Sequence, residues 1–167
     1  RSQSASQLWL AYETLSAINP RIVYAYAPGF DQRGRYANAP AYDDTIQAFS
    51  GLAHLNATGS GEPRYLQTIV CDKVGGLHLA IAVAAGVAHQ MRAGKGSCIE
   101  APMFESVVSF LMTEQSGGET FVPPLGGTGY DRLSSPNRRP FPTRDGYVGI
   151  LPYTTTQWAA FFDLVGQ

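Results

Sequence analysis

The fold class is decided by the stretch INPRIVYAYAPG, which occupies residues 18–29. Before it, residues 8–18 carry apolar side chains at helical spacing, and Asn19-Pro20 ends that helix. Residues 22–27 are β-branched, aromatic or small, which is typical of a buried strand. A helix, a tight connection and an apolar strand form one half of an α/β unit, so the sequence predicts an α/β fold. Pro28-Gly29 then ends the strand at its carboxyl end, where ligands bind in open α/β sheets.

The longest predicted element is a helix over residues 72–92, and it follows several shorter elements. We expect a helix over Asp44–Leu55, a flexible connection at 56–63 and a short strand over Tyr65–Cys71. The long helix is apolar on nearly every face, which predicts burial on most sides. Gly94 follows it and is the residue type that commonly ends helices in a left-handed conformation.

Beyond Gly94 the regular apolar pattern stops and then resumes. Ser97–Glu100 is a predicted strand, and residues 102–115 form a predicted amphipathic helix. Residues 116–142 are dense in glycine and proline. After them, residues 146–151 predict a strand and residues 156–165 a helix.

The segment rich in glycine and proline separates two predicted domains. Its composition is typical of a linker, whereas both flanks have the patterns of packed elements. The predicted division is part of a large α/β domain at 1–115, a linker at 116–142 and the start of a small α+β domain at 143–167.

Composition and charge exclude several classes of partner. Of the 167 residues, 44% are apolar and 15% are charged, and the net charge is −1. This balance provides no basic surface for nucleic acid or for an acidic membrane. No run of about 18 uninterrupted apolar residues occurs, so we expect no membrane-spanning helix. No basic segment followed by an apolar stretch opens the chain, so we expect no signal peptide and a cytoplasmic location.

The cysteines and histidines predict no metal site. Cys71 and Cys98 lie in different predicted elements and form no CxxC pair, which favours two reduced thiols. His54, His78 and His89 have no companion at metal-binding spacing.

Asp72 is the best candidate for a catalytic residue. It follows a predicted strand and starts the long helix, where an N-cap aspartate accepts backbone N–H bonds and the helix dipole favours its anion. Gly75 and Gly76, one turn further on, leave room for a ligand above the carboxylate. A carboxylate held in this way can act as a covalent nucleophile on a thioester, but a plain helix cap explains the same residue.

The glycine run Gly126-Gly127-Thr128-Gly129 also has two interpretations. It neither follows a predicted strand nor opens a helix with phosphate-loop spacing, so the pattern does not indicate a nucleotide loop. A flexible linker and a mobile lid over an active site both remain open.

The sequence contains, in chain order, the stretch from Asn19-Pro20-Arg21 to Phe30, the Asp72-Lys73-Val74-Gly75-Gly76 segment and further motifs. Together they resemble the family III CoA transferases, the family of formyl-CoA and carnitine CoA-transferases. Residues 19–25 running into Pro28-Gly29-Phe30 resemble the family's NPR(I/L)VY…GFG segment. The resemblance continues in chain order over nearly the whole sequence. Its further motifs are Tyr42-Asp43, Ser50-Gly51-Leu52, Asp72-Lys73-Val74-Gly75-Gly76 (family DxxxG), Gly94-Lys95-Gly96 (family TGxGQ), and Arg144-Asp145-Gly146-Tyr147-Val148 with Gln157-Trp158 (family TxDGYxxI…QW).

The resemblance implies a fold and a reaction. The fold is part of a Rossmann-like large domain followed by the start of the small domain. The reaction is CoA transfer between an acyl-CoA and a carboxylic acid through a covalent intermediate on Asp72. Coenzyme A thioester is then a substrate, and no permanently bound cofactor is implied. Members of the family form interlocked homodimers and are considerably longer than this chain, which we therefore interpret as a piece of a longer protein.

The resemblance also implies which residues meet the substrate. Gly29, Phe30, Asp31 and Tyr42, together with the two glycines after Asp72, are the implied CoA-binding residues. The glycine run at 126–129 is the implied loop that covers the aspartyl intermediates and limits their hydrolysis. Two positions depart from the family: Asp31 replaces a glycine, and Ser97 follows Gly96 where the family turn has glutamine.

Two alternatives to the transferase stay open. An α-methylacyl-CoA racemase of the same superfamily pairs a histidine with the aspartate, because proton removal and return need groups on opposite faces. The racemase histidine aligns with Tyr42, a poor base at neutral pH, which favours the transferase. The other alternative is a non-catalytic CoA-binding or assembly fragment in which Asp72 is only a cap.

Overall fold

The computed structural model describes residues 2–57 and 61–167, so part of the predicted connection at 56–63 lies outside the described residues. The chain divides into two compact units, residues 1–128 and 129–167. The elements of the first unit, in chain order, are α1 (Ser2–Gln7), α2 (Tyr12–Ile18), β1 (Val23–Tyr26), α3 (Asp43–Phe49), α4 (Leu52–Leu55), α5 (Val70–Ala93), β2 (Ser97–Glu100), α6 (Met103–Gln115) and a 3-10 turn at Gly117–Thr120. Those of the second are α7 (Asp131–Ser134), β3 (Phe141–Pro142), β4 (Tyr147–Val148) and α8 (Thr155–Val165).

A parallel pair of strands forms the centre of the first unit. β1 pairs with β2, and Val23 lies opposite Ser97 while Tyr26 lies opposite Glu100. Because parallel neighbours need a crossover connection, the three helices α3 to α5 join the two strands. The prediction of an α/β fold is confirmed.

α5 packs on this strand pair and on α6. Gly86 faces the sheet, and a methyl group there would overlap Ile99 and touch Val23. Near the other end of the helix, a methyl group on Gly75 would lie 3.3 Å from Met103 of α6, a tight contact. The two glycines therefore let the helix backbone approach its neighbours closely.

The prediction that this helix is buried on most sides is wrong. Only Cys71, Val74, Gly75 and Gly86 of α5 are buried. Its opposite face is apolar but exposed, with relative accessibilities of 66% at Leu77, 69% at Ile81 and 76% at Met91. The apolar pattern identifies a helix and does not identify what covers each face.

By length and a mean hydropathy of 1.5, α5 is the one helix among the described residues that could cross a membrane. The sequence expectation was that no such segment exists, because no apolar run of about 18 residues is uninterrupted. The mean hydropathy averages over the few polar residues of α5 and therefore gives a different result. The contacts of α5 with both strands and with α6 are those of a crossover helix in a β–α–β unit.

The buried core of the first unit lies between α3, α5 and α6. Each fully buried apolar side chain stabilises the fold by about 1.5–3 kcal/mol relative to exposure. The cluster consists of Phe30, Ile46, Cys71, Val74, Val107 and Leu111.

Three element predictions need correction. The helix predicted at 8–18 is shortened to α2, Tyr12–Ile18, because Trp9 adopts a positive φ of 60° between α1 and α2. The predicted helix at 44–55 is broken into α3 and α4 by Gly51, whose φ of 84° is left-handed. No strand forms at 65–71, because that segment bonds to α3 instead of to a sheet and α5 already begins at Val70.

The second unit contains a short hairpin and α8. Phe141 pairs with Val148 in an antiparallel ladder of two residues per strand, so the predicted strand at 146–151 is shortened. The predicted helix at 156–165 is confirmed with its start at Thr155, and Thr154 and Gln157 form a capping box at its N-terminus. The division falls inside the glycine- and proline-rich segment, while the assignment of the units to large and small domains stays a prediction.

Candidate active site

Asp72 lies in the first turn of α5 and its side chain is exposed. It is the third residue of the helix; Ile69 occupies the N-cap position and forms no side-chain cap. The expectation that Asp72 caps the helix is therefore wrong. The helix starts two residues earlier than predicted, which moves Asp72 inside it. Its carboxylate remains near the positive end of the helix dipole.

The cap comes from Asp43, the first residue of α3. The N–H groups of Cys71 and Asp72 both donate to Asp43 Oδ2, at 2.7 and 3.1 Å. This buried carboxylate thus satisfies two of the N–H groups that a helix N-terminus leaves without a helical partner. Sequence reasoning missed this role, since a cap from another helix leaves no local spacing signal. The adjacent Tyr42 is exposed at the N-cap position of α3.

The two glycines after Asp72 differ in their surroundings. Gly75 is buried against Met103, whereas a methyl group on Gly76 would meet nothing within 4 Å. Gly76 lies four residues after Asp72, so the two residues share one face of the helix. The open space expected beside the carboxylate is therefore found at Gly76 and not at Gly75.

The loop after β1 reaches the same region. A methyl group on Gly29 would overlap Ala41, the residue before Tyr42. The carbonyl groups of Pro28 and Gly29 accept hydrogen bonds from the first N–H groups of α6, at 2.9 and 3.0 Å. These contacts bring the loop beside the residues that lead into α3 and hence near the start of α5.

The side chains of Phe30 and Asp31 in this loop lie in different surroundings. The Phe30 side chain is buried in the core, where it packs on aromatic rings such as Phe104, so any contact of this residue with a ligand comes from its backbone. Asp31 forms a bidentate ion pair with Arg33, with the closest atoms 2.7 Å apart. The hydrogen bonds from Arg33 lower the pKa of the Asp31 carboxyl to about 2.

Two glutamates hold this loop at the carboxyl edge of the sheet. Glu100 accepts hydrogen bonds from the Gln32 N–H and from the Tyr26 hydroxyl, at 2.7 and 2.8 Å. Glu105 accepts from the Asp31 N–H at 3.1 Å. Burial, followed by the hydrogen bond to Glu100, raises the pKa of Tyr26 above its usual range. The sequence motifs did not indicate these anchors.

Cys71, next to Asp72, is a poor competing nucleophile. Its side chain is fully buried, and burial raises the pKa of its thiol to about 12, with a further contribution from Asp43 and Asp72. Because the thiolate is the nucleophilic form, the thiol is unreactive at neutral pH. Among the described residues, no group of three His, Cys, Asp or Glu side chains is arranged to hold a metal ion.

The glycine run at 126–129 forms part of a local turn. The N–H of Gly118 donates to the carbonyl of Gly127 at 2.9 Å, and a methyl group on Gly118 would overlap Gly126. Gly129 has a positive φ of 96° and belongs to the second unit. The loop is held by the hydrogen bond from Gly118 to Gly127 within this turn, and its role over Asp72 stays a prediction.

Fold and site together describe an α/β protein with an exposed aspartate, anchored through its backbone, at the start of a crossover helix. The family model for CoA-transferase family III matches residues 1–167, and the chain belongs to that family. The resemblance found in the motifs is therefore confirmed.

Individual relatives agree with this family. The chain is 38% identical over 106 residues to an acetyl-CoA:oxalate CoA-transferase of Acetobacter aceti, covering 63% of this chain and 27% of the relative. It is 29% identical over 164 residues to a succinate–glutarate CoA-transferase of Agrobacterium fabrum, an alignment that covers 94% of this chain and 39% of the relative. A crystal structure of a CAIB/BAIF family protein from Brucella suis superposes on this chain with a TM-score of 0.79 at 26% identity. The superposition covers 98% of this chain and 43% of the Brucella protein. The chain thus spans less than half the length of each of these proteins.

Proposed function

We propose that the protein of which this chain is part is an acyl-CoA:carboxylate CoA transferase with Asp72 as its covalent nucleophile. The observation that carries the proposal is the exposed Asp72 carboxylate, fixed through its backbone by Asp43 and bordered by open space at Gly76. Family membership supports the reaction class. The two transferases named above carry an acyl-CoA or carboxylic acids in their names: acetyl-CoA with oxalate, and succinate with glutarate.

The proposed reaction conserves atoms and charge without an added oxidant or reductant. An Asp72 oxygen bonds to the acyl carbonyl carbon and the thioester C–S bond breaks, giving a mixed anhydride and CoA thiolate. The thiolate adds to the Asp72 carbonyl carbon and the donor acid leaves as a carboxylate. The acceptor carboxylate then attacks the aspartyl-CoA thioester and releases the thiolate. Attack of the thiolate on the acceptor's acyl carbon forms the new acyl-CoA and restores Asp72.

Further parts of the proposal concern substrates and assembly. The loop at Gly29–Asp31 and Tyr42 would contact the thiol end of CoA, and the run at 126–129 would cover the aspartyl intermediate and exclude water. Oxalate, succinate and glutarate, which occur in the relatives' names, are the acids to test first. A cytoplasmic location and an interlocked homodimer remain predictions for the whole protein.

The decisive experiment compares Asp72→Ala with Asp44→Ala in the intact protein. Asp44 is a matched control, because it is also an exposed aspartate in the first turn of a helix. We expect Asp72→Ala to lower CoA exchange by roughly a thousandfold or more and Asp44→Ala to change it little. Hydroxylamine added during turnover should form a hydroxamate at Asp72, detected by mass spectrometry.

The same experiment separates the alternatives. Retention of CoA exchange by Asp72→Ala would exclude the aspartyl mechanism. Deuterium incorporation at the α-carbon without acyl exchange would identify a racemase. CoA binding with neither reaction would identify an assembly or binding protein.

A further inference from the structure

A buried amide on α3 connects three parts of the chain that lead to Asp72. Gln47 is fully buried, and its Nε2 donates to Asp43 Oδ1 at 2.6 Å. Its Oε1 accepts the N–H of Leu66 at 2.9 Å, four residues before α5 begins. We propose that Gln47 is a positioning residue for Asp72, acting through Asp43, and that it sets the rate of acyl transfer rather than substrate affinity. This inference rests on the proposed function.

The geometry explains why an amide is required at residue 47. Asp43 has two carboxylate oxygens: Oδ1 accepts from Gln47, and Oδ2 accepts from the N–H groups of Cys71 and Asp72. The Gln47 N–H therefore fixes the carboxylate rotation that points Oδ2 at the start of α5. A side chain without a donor at residue 47 would free that rotation.

The same side chain also fixes the entry into α5. Its oxygen binds Leu66, and its nitrogen lies 3.5 Å from the carbonyl oxygen of Thr68. The segment before the helix is thus held by an amide, and the first turn by the carboxylate that this amide orients. Both restraints act on the backbone that carries Asp72. A displacement of a reacting group by about 1 Å can lower a rate about 100-fold, so loosening this anchor should appear in kcat.

Charged and titratable groups around Gln47 suggest a diagnostic substitution. Asp43 contacts the Gln47 amide directly. Asp44, Cys71 and Asp72 lie close enough to Asp43 and to one another for their charges to interact at Cys71, and Lys73 Nζ is bound to Thr68 Oγ1 at 2.7 Å. Gln47→Glu would place a second carboxyl against Asp43. When protonated, it donates to Asp43 as the amide does; when ionised, it repels Asp43. Activity of this variant, relative to the wild type at the same pH, should therefore fall as rising pH ionises the introduced carboxyl.

The test uses Gln47→Leu, Gln47→Glu and a control, Gln90→Leu, in the intact protein. Gln90 braces the other end of α5 by donating to the Arg21 carbonyl at 2.9 Å. Gln47→Leu should lower kcat about 100-fold and leave KM within about twofold, while the control keeps wild-type values. Amide hydrogen exchange at 70–73 should be faster in Gln47→Leu and unchanged in Gln90→Leu. If Gln47→Leu does not fold, the acid-dependent activity of Gln47→Glu serves instead.

The outcomes distinguish this inference from the proposed function. A wild-type kcat in Gln47→Leu, or a rise in KM without loss of kcat, overturns the positioning role. A wild-type pH profile in Gln47→Glu also overturns it. If the wild type itself shows no CoA exchange, the proposed function fails, and hydrogen exchange at 70–73 still decides whether Gln47 anchors the start of α5.

Discussion

Asp43 and Asp72 lie at the same helix end in opposite surroundings. Asp43 is buried and its two oxygens accept three hydrogen bonds, whereas the Asp72 side chain is exposed. Asp43 provides the capping that a helix N-terminus requires. The Asp72 carboxylate therefore has no capping role, and this separation leaves it accessible from solvent.

Cys71 and Cys98 should differ in reactivity toward a thiol reagent. Cys71 is buried and Cys98 is exposed. We expect an aromatic disulfide reagent at pH 8 to label Cys98 in the folded protein and Cys71 only after denaturation. Partial desolvation of its sulfur, followed by the charges of Glu13 and Glu100, raises the pKa of the Cys98 thiol, so its labelling should be slower than that of a free thiol. Equal labelling of both residues in the folded state would contradict the buried position of Cys71.

The Cys71 thiol also predicts a change of stability with pH. Burial raises the pKa of this thiol from its ordinary value of about 9 to about 12, so the folded protein holds the proton more tightly than the unfolded chain does. The contribution of the protonated, buried Cys71 thiol to the free energy of unfolding is therefore fully present below about pH 9. It is lost as pH rises from about 9 toward 12. Urea unfolding across this pH range measures the free energy of unfolding, and Cys71→Ala should make that free energy less dependent on pH.

At the scale of elements, local patterns predicted more of the fold than of the site. β2 was predicted at its observed bounds, and α8 was predicted because apolar residues at helical spacing lie within the element itself. The missing strand at 65–71 shows the limit, since a short apolar run does not specify whether it pairs with a strand or with a side chain such as Gln47. Asp72 was found from its motif, but its anchor on α3 depends on a contact 29 residues apart in sequence.

α5 offers a matched pair of glycines for testing the open side of the site. Gly76→Ala fills open space within a helix and should stabilise the protein by about 0.5–1 kcal/mol, because alanine favours helices. If a substrate occupies the space beside Asp72, the same substitution should lower CoA exchange. Gly86→Ala should instead destabilise by about 1–3 kcal/mol, since its methyl group would overlap Ile99. Thermal unfolding and an exchange assay measure both effects, and undiminished exchange in Gly76→Ala would show that this space is not used.

At the scale of the whole molecule, the exposed apolar face of α5 and the length of the relatives lead to one expectation. Leu77, Ile81 and Met91 are exposed on the side of α5 away from the sheet. Apolar patches of this kind are typical of surfaces that meet another part of a protein or a partner. The chain covers 39% of the Agrobacterium relative and 43% of the Brucella structure. The active site of the whole protein is therefore expected to need residues beyond these 167.

We predict that the 167-residue chain, produced alone, does not transfer CoA although it retains Asp72. The surface of α5 should then bind a fluorescent dye that reports exposed apolar area, and Leu77→Ser with Ile81→Ser should reduce that binding. The intact protein should show exchange and little dye binding. The comparison requires circular dichroism of both proteins, because an unfolded chain would also bind dye and lack activity. Exchange by the folded chain alone would show that its own residues complete the site, and the expectation that further chain is required would be wrong.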